Sequence, residues 1–249
     1  MRLVVEMPIP VFDNGWARLY EGDAVLVLAR LPAESIDCII ADPPFNAGKD
    51  YGPRFDDAKP LPEYHAYLAS LLARMARVVR PGGAIWVMND TRHIGATQML
   101  MDDLGLEFQN MVAWAYGNPT PASGRFQKTW RPILFYRKPG GPVTWNEGAD
   151  RLRRETLYSN FAHSNGRNLH DLWPDIPKLV GGYLSQAEVL LKPDGCFAHV
   201  AQMPEALAER MMLLTTNPND LICDPFVGSG TTCAAAQRLG RKSIGVEIN

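Results

Sequence analysis

The segment Asp42-Pro43-Pro44-Phe45 follows the apolar run Ile36–Ala41 and combines residue types that suit chemistry at a strand end. Its two prolines fix φ and remove two N–H donors, so the chain leaves the strand rigidly. Asp42 and the Pro43 carbonyl can accept two hydrogen bonds from one planar NH₂ group. Phe45 offers a ring face of the kind on which flipped bases stack. For an isolated motif, a proline-rich turn with a capping aspartate is the alternative.

A second motif, DPFVGSGTT, occupies residues 224–232 and is typical of a strand, a glycine turn and a helix start. Gly228 and Gly230 allow the backbone to pass close to a ligand, and the helix start offers unpaired N–H groups to an anion. A nucleotide P-loop needs a lysine where Gly230 stands, and a dinucleotide fingerprint needs a third glycine where this chain has Cys233. The pattern therefore favours a smaller nucleoside with a charged tail, and a tight packing turn is the alternative.

Glu247 ends the next expected strand, 23 residues after Asp224. This spacing is close to that at which an acid accepts hydrogen bonds from ribose hydroxyls in nucleotide-binding α/β folds. The glycine turn and the acid together favour a nucleoside site over a simple turn.

Composition restricts the class of protein in which these motifs lie. The chain has 249 residues, 46% hydrophobic and 21% charged, which excludes a disordered tail, a collagen-like chain and a membrane bundle. The first 12 residues contain two prolines and an acid, unlike a signal peptide, so we expect a cytoplasmic protein. The four cysteines have no metal-ligand spacing, and we expect no structural zinc.

The charge is unevenly distributed along the chain. Residues 117–154 contain eight basic and two acidic residues, a net of +6, which leaves −8 for the remainder of a chain with net charge −2. A basic stretch in an otherwise acidic protein is expected of a surface that binds a polyanion. A solvated loop rich in arginine is the alternative that charge alone leaves open.

Strand and helix patterns alternate along most of the chain, except that periodicity fades between Gly140 and Pro177. The expected strands are Trp16–Tyr20, Ile36–Ala41, Ala84–Met88, Leu106–Tyr116, Pro132–Arg137, Leu221–Cys223 and Ser243–Val246. The expected helices are Ala24–Leu31, Leu61–Arg80, His93–Leu104, Pro204–Thr215 and Thr231–Leu239. Alternation of this kind predicts an α/β fold with a doubly wound, mostly parallel sheet and helices on both faces. Such sheets bind ligands at the carboxyl ends of their strands, where both motifs lie.

The combination of ADPPF with a downstream DPFVGSGTT resembles the DNA amino-methyltransferases that use S-adenosylmethionine. Because the catalytic tetrapeptide precedes the cofactor loop, the order resembles the permuted beta group of N6-adenine and N4-cytosine enzymes. Further segments match the family: Gly22-Asp23, VVRPGGAIWVMND, HDLWPDIP at 170–177 and HVAQMPEALAERMM at 199–212. The resemblance covers nearly the whole chain. It implies a Rossmann-like methyltransferase fold with a seven-stranded sheet and a basic, loop-rich target-recognition insertion.

The resemblance also implies roles for individual residues. The catalytic set is Asp42, Pro43, Pro44 and Phe45. Cofactor-binding residues are Asp23, Gln202, Pro204, Glu205, Asp224, Phe226, Gly228, Ser229, Gly230, Thr231 and Glu247, with Glu247 at the ribose and Asp23 at the adenine edge. DNA-binding residues are Arg125, Lys128, Arg131, Arg151, Arg153 and Arg154, and no metal is involved. Residues 1–116 form the catalytic half, 117–177 the last sheet hairpin and target-recognition insertion, and 178–249 the cofactor half of the same domain.

The implied reaction is methyl transfer from S-adenosylmethionine to the N6 amine of adenine, flipped out of a specific site in double-stranded DNA. Asp42 favours adenine, because N4-cytosine enzymes more often have serine there, and N4-cytosine transfer is the alternative. Methylation at carbon 5 of cytosine is excluded, since that family needs a cysteine after a proline and this chain has no Pro-Cys pair. A homodimer and a cognate restriction endonuclease stay open as partners, and we expect no membrane association.

Two alternatives belong to other classes. Val200 and Met203 replace the family's usual proline and lysine, and the family continues into another helix past the position of Glu247, two residues before this chain ends. A catalytically impaired DNA-binding module with reduced cofactor affinity is therefore one alternative. An RNA or protein-amide methyltransferase is the other, although those relatives have asparagine where this chain has Asp42.

Overall fold

The computed structural model describes residues 9–120, 122–147, 170–179 and 202–248. The helices of these residues are α1 (Ala24–Arg30), α2 (Leu61–Val78), α3 (Ile94–Asp103), α4 (Glu205–Thr215) and α5 (Thr231–Arg238). The strands are β1 (Phe12–Asp13), β2 (Ala17–Glu21), β3 (Ile36–Ala41), β4 (Val79–Met88), β5 (Glu107–Thr120), β6 (Lys128–Arg137), β7 (Leu172–Trp173), β8 (Leu221–Asp224) and β9 (Lys242–Glu247). None of the described helices is long and apolar enough to cross a bilayer.

All the described strands lie in one sheet of order β1-β2-β9-β8-β3-β4-β6-β5-β7. The pairs β2–β9, β9–β8, β8–β3 and β3–β4 are parallel, whereas β4–β6 and β6–β5 are antiparallel. The expectation of a mostly parallel α/β sheet is confirmed. The expected count of seven strands is wrong, because the described residues alone form nine. The two additional strands, β1 and β7, have two residues each and are too short to produce a periodic pattern.

The antiparallel hairpin is longer than the sequence indicates. Strand β5 runs to Thr120 and β6 begins at Lys128, whereas the apolar pattern predicts Leu106–Tyr116 and Pro132–Arg137. Since Met88 at the end of β4 pairs with Ile133, the residues before Ile133 extend β6 past the carboxyl end of the parallel strands. The hairpin therefore carries its basic residues to the edge where both sequence motifs lie.

Apolar residues cover both faces of the sheet, as a doubly wound fold requires. Along β3, Ile39 and Ala41 pack into the cluster beneath α1, α2 and α3, while Cys38 and Ile40 pack into the cluster beneath α4 and α5. This alternation follows from the two-residue period of a strand. The sheet is thus buried from both sides, and its strand ends remain accessible at the edges.

The cysteines behave as packing residues where they are described. Cys38, Cys223 and Cys233 are buried, and Cys196 lies outside the described residues. Burial raises the pKa of the Cys38 thiol to about 12, so it stays protonated. In the described part of the chain, no group of three or more histidine, cysteine or acidic residues could hold a metal ion.

Candidate cofactor and catalytic site

A cleft of about 740 Å³, partly open to solvent, lies at the carboxyl edge of the parallel strands. Its walls come from the segments that follow β2, β3, β8 and β9, and from the residue preceding Pro204. The lining residues include Asp23, Asp42, Pro44, Asp224, Phe226, Gly228, Ser229, Thr231 and Glu247. The two sequence motifs and the strand-end acid therefore meet around one cleft, as the strand order predicts.

The glycine turn after β8 is held by the neighbouring strand. Gly228 has φ +49° and Gly230 has φ +87°, in the left-handed region that favours glycine. The Val227 amide donates to the Val246 carbonyl over 2.9 Å, and a Cβ on Gly245 would lie only 2.9 Å from the Val227 side chain. Gly245 is therefore a glycine that the motif search missed, and it allows the turn to pack against β9. Gly230 caps the N-terminus of α5, whose first residues face the cleft.

Glu247 joins the turn to the end of β9. Its Oε2 accepts a hydrogen bond from the Gly228 amide over 2.9 Å, and its Oε1 accepts one from the Ile248 amide over 2.9 Å. The Glu247 carbonyl accepts a bond from the Gly22 amide over 2.8 Å, directly before Asp23. The glycine turn and the strand-end acid, which the sequence spacing links, are therefore in direct contact through Gly228 and Glu247.

Asp224 is buried beneath the turn, with 2% of its surface exposed. Burial raises the pKa of its carboxyl to about 7, and the negative charges of Asp42 and Glu247 raise it further. Hydrogen bonds from Thr232 and from the Phe226 amide lower it in part. Together with Asp23, four acidic residues therefore line one cleft, an arrangement that a cationic ligand would stabilise.

Asp42 leaves the end of β3 half-buried in the same cleft, followed by buried Pro43, Pro44 and Phe45. The Phe45 ring lies 4.4 Å from the guanidinium carbon of Arg131, which comes from the hairpin strand β6. The segment of residues 42–45 thus lines the cleft through Asp42 and Pro44 and contacts a hairpin arginine through Phe45.

The loop that follows Phe45 supplies an aromatic wall that the motif search did not include. Tyr51 and Phe55 from this loop and Tyr67 from α2 line the cleft, and the Phe55 and Tyr67 ring centroids lie 5.6 Å apart. Buried Asp57 shapes the loop by accepting three backbone hydrogen bonds, from the amides of Asn46, Ala47 and Lys49 at 2.8, 3.1 and 2.9 Å. No periodic pattern in the sequence distinguishes Asp57. The aromatic residues of this otherwise polar loop could have indicated that the loop lines a binding site.

Asp23 caps helix α1, where its Oδ1 accepts a hydrogen bond from the Leu26 amide over 3.1 Å, and its side chain lines the cleft. Of the described residues directly before α4, Met203 lines the cleft. Pro204 is the N-cap of α4, and Glu205 pairs with Arg238 of α5. Gln202 is half-buried at the start of this segment.

The basic residues expected to bind DNA differ in their surroundings. Arg131 lies at the catalytic segment, Lys128 pairs with Asp90 over 2.5 Å, and Arg125 is exposed at the hairpin tip. Arg151, Arg153 and Arg154 lie outside the described residues.

Two further lysines, Lys49 and Lys178, lie close enough to Arg131 for its positive charge to affect their ionisation. Burial lowers their pKa values, and the charge of Arg131 lowers them further. The Lys178 ammonium lies 5.1 Å from the ring centroid of Tyr116. Lys49, Arg131 and Lys178 form a basic cluster beside Asp42, and neither lysine was singled out from the sequence.

Comparison with known proteins identifies the family. The family model of DNA methylases that act on N6 and N4 amines matches residues 36–249. The chain belongs to this DNA methylase family. The methylase is 32% identical over 234 residues to the type II methyltransferase M.HpaI of Haemophilus parainfluenzae, covering 93% of this chain and 70% of that protein. It is 31% identical over 245 residues to the DNA adenine methyltransferase YhdJ of Escherichia coli K12, covering 96% of this chain and 80% of that protein.

Solved structures share the fold of this methylase. The cytosine-N4-specific PvuII DNA methyltransferase superposes with a TM-score of 0.76 at 21% identity, covering 97% of this chain and 85% of that one. A DNA modification methylase of Thermus thermophilus, solved with S-adenosyl-L-methionine, superposes with a TM-score of 0.62 at 24% identity, covering 94% of this chain and 88% of that one. The resemblance inferred from the two motifs is confirmed.

The family takes its methyl group from S-adenosylmethionine, which is the cofactor of this methylase; when bound, it supplies an electrophilic methyl group on a cationic sulfur. The residues of the cleft fit this molecule. Buried Asp224, with its raised pKa, suits a neighbouring cation, and the N-terminus of α5 suits a carboxylate. Asp23 and Glu247 add carboxylate oxygens that can accept hydrogen bonds from a nucleoside, and Tyr51, Phe55 and Tyr67 add ring surface.

Proposed function

We propose that this methylase modifies the N6 amine of adenine in double-stranded DNA. The observation that carries the proposal is the position of Asp42, which lines the same cleft as Asp224 and Glu247 and directly precedes the buried Pro43-Pro44-Phe45 segment. A carboxylate at this point can bind an exocyclic amine while the cofactor occupies the rest of the cleft. The 31% identity to a protein named as an adenine methyltransferase supports adenine over cytosine.

Asp42 and the Pro43 carbonyl would accept the two amine hydrogens, drawing the nitrogen lone pair out of conjugation with the ring and directing it into the cleft. Phe45 would stack on the flipped base, since its ring is fixed by burial and faces Arg131. Positioning and hydrogen bonding in the transition state, rather than a covalent intermediate, would supply the rate enhancement. The amine proton leaves after the methyl group has arrived, so Asp42 needs no general-base role.

We infer that the long hairpin and the basic cluster contact DNA. Arg125 is exposed at the hairpin tip, and Lys49, Arg131 and Lys178 form the basic cluster beside Asp42. Their charges can bind the backbone phosphates next to a flipped nucleotide. We further propose that residues 117–177 form the target-recognition part between a catalytic and a cofactor half.

The test is a transfer assay with unmethylated genomic DNA, isotopically labelled S-adenosylmethionine and mass spectrometry of the digested nucleosides. We expect labelled N6-methyladenine from the wild type. Asp42→Ala should yield none while retaining cofactor binding in calorimetry. Sequencing of the modified DNA would then identify the recognition site. A type II methyltransferase among the relatives also motivates a search for a cognate endonuclease, and light scattering of the purified protein would show whether it is a monomer or a homodimer.

Other outcomes would replace the proposal. Labelled N4-methylcytosine would assign the reaction to cytosine. Label in RNA or protein but not in DNA would assign a different substrate class. Cofactor binding that is undetectable at millimolar ligand, together with retained DNA binding, would identify a DNA-binding module without transferase activity.

A further inference from the structure

The catalytic segment cannot anchor its own backbone between Asp42 and Phe45. Pro43 and Pro44 lack N–H groups, so only their carbonyls can be held by the surrounding protein. Donors for these carbonyls must therefore come from other elements. Helix α2 provides one, because the Tyr64 hydroxyl donates to the Pro44 carbonyl over 2.9 Å.

Resting on the proposed transfer reaction, we propose that Tyr64 is a positioning residue that orients the catalytic segment through the Pro44 carbonyl. Tyr64 does not line the cofactor cleft and is 1% exposed. Its effect on the reaction must therefore pass through the backbone of the segment that it holds.

The covalent geometry makes this single hydrogen bond effective. The Pro44 carbonyl and the Phe45 amide share one rigid peptide plane, so fixing the carbonyl fixes the plane from which the Phe45 ring projects. In the other direction, the Pro44 ring locks φ, and only ψ of Pro44 separates this plane from the Pro43 carbonyl. One bond thus constrains both the stacking ring and a carbonyl that would accept an amine hydrogen.

Tyr64 is itself held by a buried polar chain. Asn89 follows β4, and its Oδ1 accepts the Asp90 amide over 2.7 Å and lies 3.3 Å from the Tyr64 hydroxyl. The Asn89 amide nitrogen donates to Thr97 over 3.0 Å, and the Thr97 hydroxyl donates to the His93 carbonyl over 2.9 Å. The chain ties the catalytic segment to β4 and α3 as well as to α2.

Two further features favour a fixed donor. The Tyr64 and His93 ring centroids lie 4.8 Å apart in an edge-on contact, which limits rotation of the phenol. Burial raises the pKa of Tyr64 to about 12, so the hydroxyl keeps its proton at the pH of any transferase assay. The single hydrogen has two acceptors in reach, and the nearer one is the Pro44 carbonyl.

The experiment compares Tyr64→Phe with Tyr136→Phe. Tyr136 is also fully buried and also donates its hydroxyl, over 2.5 Å to Asp102, but it lies on β6 and contacts α3 away from the cleft. Both variants lose one hydroxyl and keep the ring, so a general loss of stability affects both. The measurements are kcat and KM for DNA and for S-adenosylmethionine, the calorimetric Kd of the cofactor, and Tm. Cofactor titration sets the concentration of folded sites, so an unfolded fraction does not lower kcat.

For Tyr64→Phe we expect kcat to fall roughly 10- to 100-fold, the loss that small misplacements of reacting groups produce, with the cofactor Kd unchanged within about twofold. For Tyr136→Phe we expect a similar fall in Tm and kcat within about twofold of wild type. A Tyr64→Phe enzyme whose kcat equals that of Tyr136→Phe would overturn the positioning role. A wild type that methylates no DNA would instead overturn the proposed function, so the two failures are distinguishable.

Discussion

The Glu247 carboxylate accepts a hydrogen bond from the Gly228 amide over 2.9 Å, so the end of β9 braces the glycine turn that follows β8. Its other oxygen accepts the Ile248 amide over 2.9 Å. One side chain therefore fixes two segments of the cofactor cleft before any ligand binds. An acid that would bind ribose also preorganises the turn beside it, which reduces the ordering cost of binding.

Replacing Glu247 with glutamine should weaken cofactor binding. Glutamine has one carbonyl oxygen, so either the Gly228 or the Ile248 amide loses its acceptor and faces an NH₂ group instead. An unsatisfied donor costs about 1–3 kcal/mol, which the free turn can avoid by moving away from β9. The cofactor must then reorder the turn on binding, so we expect the calorimetric Kd for S-adenosylmethionine to rise roughly tenfold. Glu107→Gln, an exposed acid on β5, is the control and should leave the Kd unchanged. Equal affinity in both variants would show that the brace contributes nothing to binding.

Asp224 should make the stability of the free protein depend on pH. Its folded pKa of about 7 exceeds the ordinary value of 3.8, so the native state binds this proton more tightly than the unfolded state does. Its contribution is therefore fully present below about pH 4 and is lost as the pH rises towards 7. Relative to Asp224→Asn, which cannot ionise, the wild type should lose about 1 kcal/mol per pH unit across pH 5–7 in urea unfolding. Parallel profiles of the two proteins would contradict the raised pKa.

Cofactor binding should show the opposite dependence on pH. A cationic ligand favours the ionised form of Asp224, so affinity should increase as the carboxyl loses its proton. With a pKa of about 7, we expect the Kd for S-adenosylmethionine to fall several-fold between pH 6.0 and 7.5 in the wild type. Asp224→Asn should bind more weakly and lose most of this change. A wild-type Kd that is constant across this range would show that Asp224 does not sense the ligand's charge.

The sequence predicts those parts of the site that depend on patterns within a short stretch of chain. The run Ile36–Ala41 predicts the strand that presents Asp42, and the glycine turn and Glu247 lie at two neighbouring strand ends. A period of two residues and a glycine pattern are enough for these assignments, because each depends on the adjacent chain.

The parts that sequence does not predict depend on contacts between distant residues. Asp57 shapes the loop through backbone amides up to 11 residues away, and nothing in its neighbourhood distinguishes it from exposed Asp56. The resemblance assigns Glu205 to the cofactor, and its sequence neighbourhood does not indicate that it pairs with Arg238 or that Met203 lines the cleft. Which residue of a short segment faces inward is decided by packing against α5, which no pattern in that segment records.

Replacing Asp57 with asparagine should loosen the loop that carries Tyr51 and Phe55. In the wild type, the Asp57 carboxylate accepts hydrogen bonds from three backbone amides. The asparagine side chain keeps only one acceptor oxygen, and its NH₂ group would face the remaining backbone donors. We expect a loss of about 1–3 kcal/mol in the free energy of unfolding and faster hydrogen exchange at residues 46–49. The neighbouring Asp56→Asn is the control, because exposed Asp56 accepts only the Ala58 amide over 2.8 Å among the hydrogen bonds of the described residues. Unchanged exchange in Asp57→Asn would show that the loop is held by other contacts.

Replacing Arg131 with glutamine should weaken DNA binding without affecting the cofactor. Its guanidinium lies over Phe45 and close to Lys49 and Lys178, beside the segment on which we propose that a flipped nucleotide stacks. Loss of one phosphate contact should reduce the slope of log K against log salt by about one and weaken binding roughly tenfold near 0.1 M salt. Arg18→Gln, which removes an exposed charge on β2 paired with Asp13, should leave both quantities unchanged. A weaker but equally salt-dependent Arg131→Gln would assign the arginine to stacking on Phe45 rather than to phosphate, because a cation–π contact with the ring releases no counterions from DNA.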